Sequence, residues 1–426
     1  MNGTTATREG AKGLTNMDRS SAACLLVASI FAPIHGGSAN VYASLCRLSP
    51  RGSIAVLAAR RYYDRAEEIA GWEAHDRDCG YPVHRLDLLR PPMLPPPANK
   101  LVSAWRFLST DIPLRARVLF TTLRLIRQYR IGVLCLGELI SSAWLGELCR
   151  RLTGCRLIYY IHGEEVTTRY DAGSFGNRRL HNLRRADAII AVSRFTQRTL
   201  VEELGLPTER VHLIENAVDT TLFSPGADDA SFRQRWNVTG NRLVVGVGRL
   251  VPRKGFDQTI RGWKTVVARH PSAHLMIVGT GPQQQELEQL IAAAGLGDRI
   301  TLTGPLSNAD LVAAYRSAEL FIMPNRTMPD GDTEGFGLVF LEANACGRTV
   351  VGGRAGGAVE AVRDGETGVL VDGSSVDEIA AAITRLLDDD TLRHELERGG
   401  LAHALANSWT TRAVQFQSLC HQLVRD

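Results

Sequence analysis

The chain has 426 residues, 44% hydrophobic and 22% charged, with a formal net charge of +4. That length calls for two or three globular domains, and the composition is that of a soluble protein. The positive excess is too small to argue for nucleic acid, and no aromatic-interleaved basic module of the DNA- or RNA-binding kinds occurs. Through residue 240 there are 31 Lys+Arg against 23 Asp+Glu, a net of +8, while the remainder carries a net of −4. A basic front half and an acidic back half suit two domains with different partners. The eight cysteines form no Cys-x-x-Cys pair and several sit in apolar runs, which predicts a reducing compartment and no zinc site.

Residues 1–20 are polar and rich in Gly, Thr and Ser, and read as a disordered tail without the apolar stretch of a signal peptide. No run approaches 18 apolar residues, so no membrane span is expected. The location expected is cytoplasmic, with contact to a membrane from the inside kept open. From residue 21 onward, short apolar runs alternate with segments of helical spacing. Strands are expected at 24–31, 54–58, 133–136, 157–161, 188–192 and 211–214. A second series follows at 243–247, 274–278, 300–303, 320–323, 349–352 and 368–371. Strand and helix in alternation, twice over, predict an α/β protein with two doubly wound, Rossmann-like domains. They are placed at 21–218 and 241–405. Residues 219–240 have no strand pattern and contain Ser224-Pro225-Gly226, so they read as a linker. The last segment, 409–425, reads as a helix that packs back on the first domain. Ligands of such sheets bind beyond the carboxyl ends of the strands, so two facing domains make a cleft.

Five motifs sit at those strand ends. His35-Gly36-Gly37-Ser38 follows the first strand, and its glycines would let backbone approach a phosphate or sugar, although a plain strand–helix turn explains them equally well. His162-Gly163-Glu164-Glu165 ends an apolar strand, where His162 would hydrogen-bond a sugar hydroxyl or assist proton movement. Gly248-Arg249-Leu250-Val251-Pro252-Arg253-Lys254-Gly255 opens the second series. Arg249 and Lys254 would donate to a diphosphate and offset the charge on a departing nucleotide. The chain has only four lysines, at 12, 100, 254 and 264, so a lysine in this turn is informative. Arg253 reads as its solvated neighbour. Gly279-Thr280-Gly281 and Gly304-Pro305-Leu306 would line the nucleotide base. The fifth motif, Glu334-Gly335-Phe336-Gly337-Leu338-Val339-Phe340-Leu341-Glu342, places a glycine turn and a helix entry between two carboxylates. The unpaired amides and dipole of a helix entry favour an anion, and flanking carboxylates suit hydroxyls, which together fit a nucleotide-sugar. The Asp330-x-Asp332 spacing is one that many transferases use for a divalent ion. It lies in a polar loop without further ligands, and the cationic pair could do a metal's work, so no metal site is assigned.

Residues 90–130 stand apart. Arg90-Pro91-Pro92-Met93-Leu94-Pro95-Pro96-Pro97 reads as a stiff loop, and the segment after it mixes Trp105, Phe107, Leu108 and Phe120 with arginines. Eight Lys+Arg face one acid, Asp111, over 90–130. The segment is either a domain helix with a solvated basic face or a contact with an anionic membrane surface.

The motifs taken together resemble the retaining glycosyltransferases of family 4, which have the GT-B fold. The resemblance runs from about 22 to 420 and is strongest from Gly246 to Gly373, where the motifs occur in the family's order. It implies that Arg249 and Lys254 hold the donor diphosphate, Glu334 contacts the transferred sugar, and Glu342 holds the ribose hydroxyls. It places Phe336, Gly337, Leu338 and Val339 at the donor, His162 beside the sugar, and Gly36 and Gly37 in the loop that closes over the donor. Gly279, Gly281 and Leu306 complete the donor-binding set. The implied reaction is transfer with retention, without a covalent nucleophile, a cofactor or an obligatory metal. The stretch from Met323 to Glu342 and Gly352-Gly353-Arg354-Ala355-Gly356-Gly357 look most like bacterial phosphatidylinositol-mannoside and exopolysaccharide mannosyltransferases, which favours GDP-mannose. A UDP-sugar donor is the alternative within the family. A nucleotide-sugar epimerase and a non-catalytic sugar-nucleotide-binding protein are the rivals from other classes. The acceptor expected is a hydroxyl, with a lipid-linked saccharide fitting the membrane reading of 90–130.

Overall fold

The computed structural model describes residues 24–34, 36–64, 67–93, 99–168, 174–238 and 242–425. The tail at 1–20, His35 and residues 94–97 of the proline-rich loop lie outside the described residues.

Apolar runs buried on both faces, with helices returning the chain, force parallel pairing. The first sheet has seven strands: β1 (Cys24–Ala28), β2 (Ile54–Ala59), β3 (Val83–Leu86), β4 (Val133–Leu136), β5 (Arg156–Ile161), β6 (Ala188–Ala191) and β7 (Val211–Leu213), in the order β3-β2-β1-β4-β5-β6-β7. The second has six: β8 (Arg242–Val247), β9 (Ala273–Val278), β10 (Ile300–Gly304), β11 (Leu320–Met323), β12 (Thr349–Gly353) and β13 (Gly368–Val371), in the order β10-β9-β8-β11-β12-β13. Among the described residues the strands of both sheets pair in parallel, for example Leu25 opposite Ala55 and Val244 opposite Leu275. The order reverses at β1/β4 and at β8/β11, and in such sheets the crevice for ligands opens at that reversal.

Three sequence expectations change. β3 has only four residues, two of them polar, and none is fully buried. It is an edge strand paired only with β2 and carries no apolar run to find. β1 stops at Ala28 instead of 31, because the Ser29 amide leaves the sheet and donates to Glu138 Oε1 at 2.9 Å. The segment read as a linker holds a helix, Ala230–Arg235. Asp229 caps it by accepting from the amides of Ser231 and Phe232, and Phe232 is fully buried in the core. Arg233 donates to the Ser317 carbonyl and Arg235 pairs with Asp310, so this helix belongs to the second domain.

The chain crosses between the domains twice, and the crossings touch, with the Val218 amide donating to the Asn407 carbonyl at 3.0 Å. After the second crossing the helix Trp409–Arg425 lies on the helix Gly37–Leu48 and on β4 of the first domain. Its buried stripe of Trp409, Ala413, Phe416 and Cys420 has the three-to-four-residue spacing of one helix face.

This stripe carries the helix, so Phe416→Ala is expected to destabilise the protein by about 3–5 kcal/mol in urea melts. Val414→Ala, on the exposed side of the same helix, is expected to change stability by at most about 0.5 kcal/mol.

Candidate active site

Six strand ends deliver the site. Gly36 and Gly37 follow β1 and begin the helix Gly37–Leu48, whose entry no side chain caps. A Cβ at either glycine would meet nothing within 4 Å, so packing does not require glycine there and the space in front is open to a ligand. β5 ends at Ile161 and presents His162, which is partly exposed at the cleft. On the other side, β8 ends in the turn bearing Arg249 and Lys254. Next to it, β9 ends in Gly279-Thr280-Gly281. These two turns pack backbone against backbone: a Cβ at Gly279, whose φ is +136°, would lie 2.0 Å from the Gly248 carbonyl oxygen. Leu306, beyond β10, packs against the core beneath them.

β11 leads through Asn325 into the loop that carries Glu334. Glu334 and Lys254 are buried together, with side chains 12% and 11% exposed, and Lys254 Nζ donates to Glu334 Oε2 at 2.5 Å. Burial alone would raise the Glu334 pKa. The ammonium of Lys254 and the guanidinium of Arg253 outweigh it and bring the carboxyl to about 2. Burial drives the Lys254 ammonium below its ordinary value, and Glu334 offsets only part of that.

Arg253 is not solvated, as the sequence reading had it. Its side chain is as buried as that of Lys254, and it touches three carboxylates: Glu334 Oε2 at 3.5 Å, Asp332 Oδ1 at 3.2 Å and Glu164 Oε2 at 3.2 Å. Burial opposes its charge, and the carboxylates outweigh burial and hold its pKa above the ordinary value. Glu164 belongs to the first domain, so Arg253 ties the domains together at the cleft. Arg249, by contrast, is exposed at the end of β8 and makes no ion pair among the described residues.

The helix Leu338–Ala345 starts after Gly337, with no side-chain cap. One amide of its entry turn, that of Phe336, is spent on Glu334. Phe336, Leu338 and Glu342 are buried, and Val339 is partly so. Glu342 accepts from Tyr315 Oη at 2.9 Å. Burial pushes its carboxyl up to about 7, against hydrogen bonds from Tyr315 and from Asn40 of the first domain.

The two halves meet closely. Gly335 lies against His162 and Gly163, and a Cβ there would sit 1.8 Å from the His162 carbonyl oxygen. Ser193 Oγ donates to the Gly335 carbonyl at 2.8 Å, and Glu360 accepts from the amides of Arg194 and Phe195. The cleft is therefore closed around the Glu334 turn. Behind His162, Glu165 accepts from the amides of residues 162 and 163, and burial raises its carboxyl to about 7. Asn40, Tyr42, Glu164, Tyr315 and Arg253 are contributions the sequence reading missed. Asn40 stands one helical turn beyond Gly36–Gly37, which was a usable signal. Nothing in the sequence aims Tyr315 at Glu342, 27 residues on.

A cationic turn packed on a glycine turn, a carboxylate-flanked helix entry and a histidine, at the ends of facing parallel sheets, define a transferase of activated sugars. The chain belongs to the glycosyltransferase family 4 enzymes: residues 36–222 match the model described as Glycosyltransferase Family 4, and 228–402 that of the group 1 glycosyl transferases. It is 37% identical over 300 residues to the GDP-mannose-dependent α-(1-6)-phosphatidylinositol monomannoside mannosyltransferase of Mycolicibacterium smegmatis, covering 70% of this chain and 78% of that one. It is 30% identical over 390 residues to the GDP-mannose-dependent monoacylated α-(1-6)-phosphatidylinositol monomannoside mannosyltransferase of Corynebacterium glutamicum, covering 90% and 94%. In fold it is similar to HepE of Anabaena, solved with UDP and glucose, with a TM-score of 0.72 at 22% identity over 93% of this chain and 98% of that one. The fold is thus GT-B and the protein is a glycosyltransferase.

A folded Glu342 that keeps its proton to about pH 7, against an ordinary 4.5, favours folding below 4.5 and loses that advantage as pH rises through 7. Wild-type stability in urea is expected to fall between pH 4.5 and 8 by up to about 3 kcal/mol more than that of Glu342→Gln. Glu165 titrates alike in both proteins, so the difference isolates Glu342.

Proposed function

We propose that this glycosyltransferase moves mannose from GDP-mannose, with retention, to a hydroxyl of a lipid-linked acceptor. The observation that carries the reading is the buried Lys254–Glu334 pair in the closed cleft, set beside the exposed Arg249. The mannosyltransferase relatives support the donor. The UDP-hexose alternative is favoured only by structural neighbours that share the fold. In this reading Lys254 and Arg249 hold the diphosphate, Glu334 accepts from sugar hydroxyls, and Glu342 accepts from the ribose. Gly36, Gly37, Gly279, Gly281, Leu306, Phe336, Gly337, Leu338 and Val339 form the walls around the donor. The bond from the anomeric carbon to the nucleotide oxygen breaks, and the acceptor oxygen bonds to that carbon on the same face. The acceptor proton passes to the departing phosphate oxygen. The protein supplies position and charge, not a covalent nucleophile. We propose no resident metal, since Asp332, half of the Asp-x-Asp spacing, is engaged by Arg253.

The acceptor end of the proposal includes an anionic membrane surface. The segment at 100–129 is helical throughout, with a wider π turn at Phe107–Asp111. One side of its second half, Val118, Thr122, Leu125 and Ile126, is buried on the first domain. A second apolar stripe, Leu101, Trp105, Leu108, Ile112 and Phe120, faces away from the core, with Leu101 81%, Trp105 68% and Phe120 71% exposed. A helix in water needs one apolar face, and this one has two. The arginines beside the outward stripe give it the make-up of an interfacial helix on anionic lipid. Among the described residues no helix is long and apolar enough to cross a membrane.

Lys254→Ala, Arg249→Ala and Glu334→Ala are each expected to lower kcat/KM by about 10²–10³ with melting temperature kept within a few degrees, and wild-type turnover in all three would sink the site. GDP is expected to raise the melting temperature and UDP to raise it less. A shift with UDP alone would refute the mannose donor. The wild-type protein is expected to sediment with phosphatidylglycerol vesicles and not with phosphatidylcholine vesicles. Replacing Leu101, Trp105 and Leu108 with serine should weaken that binding about tenfold or more.

A further inference from the structure

His162 is held by two rings. Tyr160 stacks on it, with centroids 5.3 Å apart and planes 25° apart, and Tyr42 meets it edge-on at 5.3 Å. Tyr42 is buried, and its hydroxyl makes two contacts, 2.9 Å to the Gly137 carbonyl oxygen and 2.6 Å to His162 Nε2. A carbonyl only accepts, and a phenol has one hydrogen, so the Tyr42 O–H donates to Gly137. The shorter contact then requires His162 Nε2–H to donate into Tyr42 Oη. Gly137 takes part by lacking a side chain, since a Cβ there would lie 2.5 Å from Tyr42 Oη. Nδ1 is left as the bare nitrogen, and among the described residues no group is hydrogen-bonded to it.

We infer that Tyr42 is a positioning residue that fixes His162 as the Nε2–H tautomer and so presents Nδ1 to the donor sugar as a hydrogen-bond acceptor. His162 then receives a sugar hydroxyl and has no proton to give at the cleft. Burial acts in the same direction, pulling the imidazole down to about 4 and keeping it neutral. Tyr42 and Tyr160 pack on the ring, and the Glu165 carboxylate accepts from the amides of His162 and Gly163. The inference rests on the transferase reading only for the identity of the hydroxyl. The tautomer follows from the donor-free protein.

The test is long-range ¹H–¹⁵N correlation on protein with ¹⁵N-labelled histidine, with His162→Gln used to assign the signal among the 11 histidines. The wild type should show protonated Nε2 and unprotonated Nδ1 for residue 162 at pH 7. A protonated Nδ1, or a doubly protonated ring, overturns the inference without any variant. Tyr42→Phe keeps the ring and removes the hydroxyl. It should mix the tautomers and raise the donor KM about tenfold with a smaller effect on kcat, in a protein that stays folded with its melting temperature lowered by at most a few degrees. An unchanged spectrum, or a changed spectrum with unchanged KM, overturns the positioning role. If no nucleotide-sugar is turned over by the wild type, the transferase reading fails while the spectrum still decides the tautomer.

Discussion

The buried contact between Lys254 and Glu334 is the constraint around which the molecule is arranged. Taking an ammonium and a carboxylate out of water costs more than their attraction commonly returns, so such a pair is a poor way to stabilise a fold. Here the depressed pKa of Lys254 records that cost. Its place at the ends of β8 and β11, in a closed cleft, gives it another use. In the proposed transfer, a lysine already desolvated and fixed in position would need little reorganisation to meet a diphosphate, and a carboxylate held ionised would accept from sugar hydroxyls at any physiological pH.

The rest of the architecture serves that placement. Arg253 carries the pair's charge across the cleft to Glu164, so the guanidinium that touches Glu334 also spans the two domains. Gly335 admits the first domain's backbone to the same turn, and Ser193 and Glu360 fasten it from either side. The helix Trp409–Arg425 returns the chain to the first domain, and the two crossings are hydrogen-bonded at Val218 and Asn407.

Much of this was legible in the sequence. Eleven of the thirteen strands announce themselves as apolar runs close to their observed bounds, since a strand buried on both faces has little choice of composition. β1 is announced too, but three residues too long, because Glu138 ends it from 109 residues away. β3 was invisible, because an edge strand of four residues with His84 and Arg85 at its centre obeys no such rule. The helix behind Asp229 carried a readable cap, but Ser224-Pro225-Gly226 drew attention to the turn instead. In the site, the scarcity of lysine singled out Lys254. Nothing distinguishes Arg253 from a solvated neighbour until Glu164, 89 residues away, is brought across to it. Tyr42 is of the same kind: a tyrosine on the buried side of a helix reads as core, and its hydroxyl acquires a purpose only when Gly137 and His162 arrive from other strands.

The work proposed for the cleft is to hold an activated sugar during transfer, so the anomeric configuration of the product is its most direct test. With GDP-α-mannose and membrane lipid as acceptor, the one-bond carbon–hydrogen coupling of the new linkage should report an α-mannoside formed by the wild-type protein. A β-linked product, or no mannosyl lipid at all while GDP-mannose binds, would contradict it.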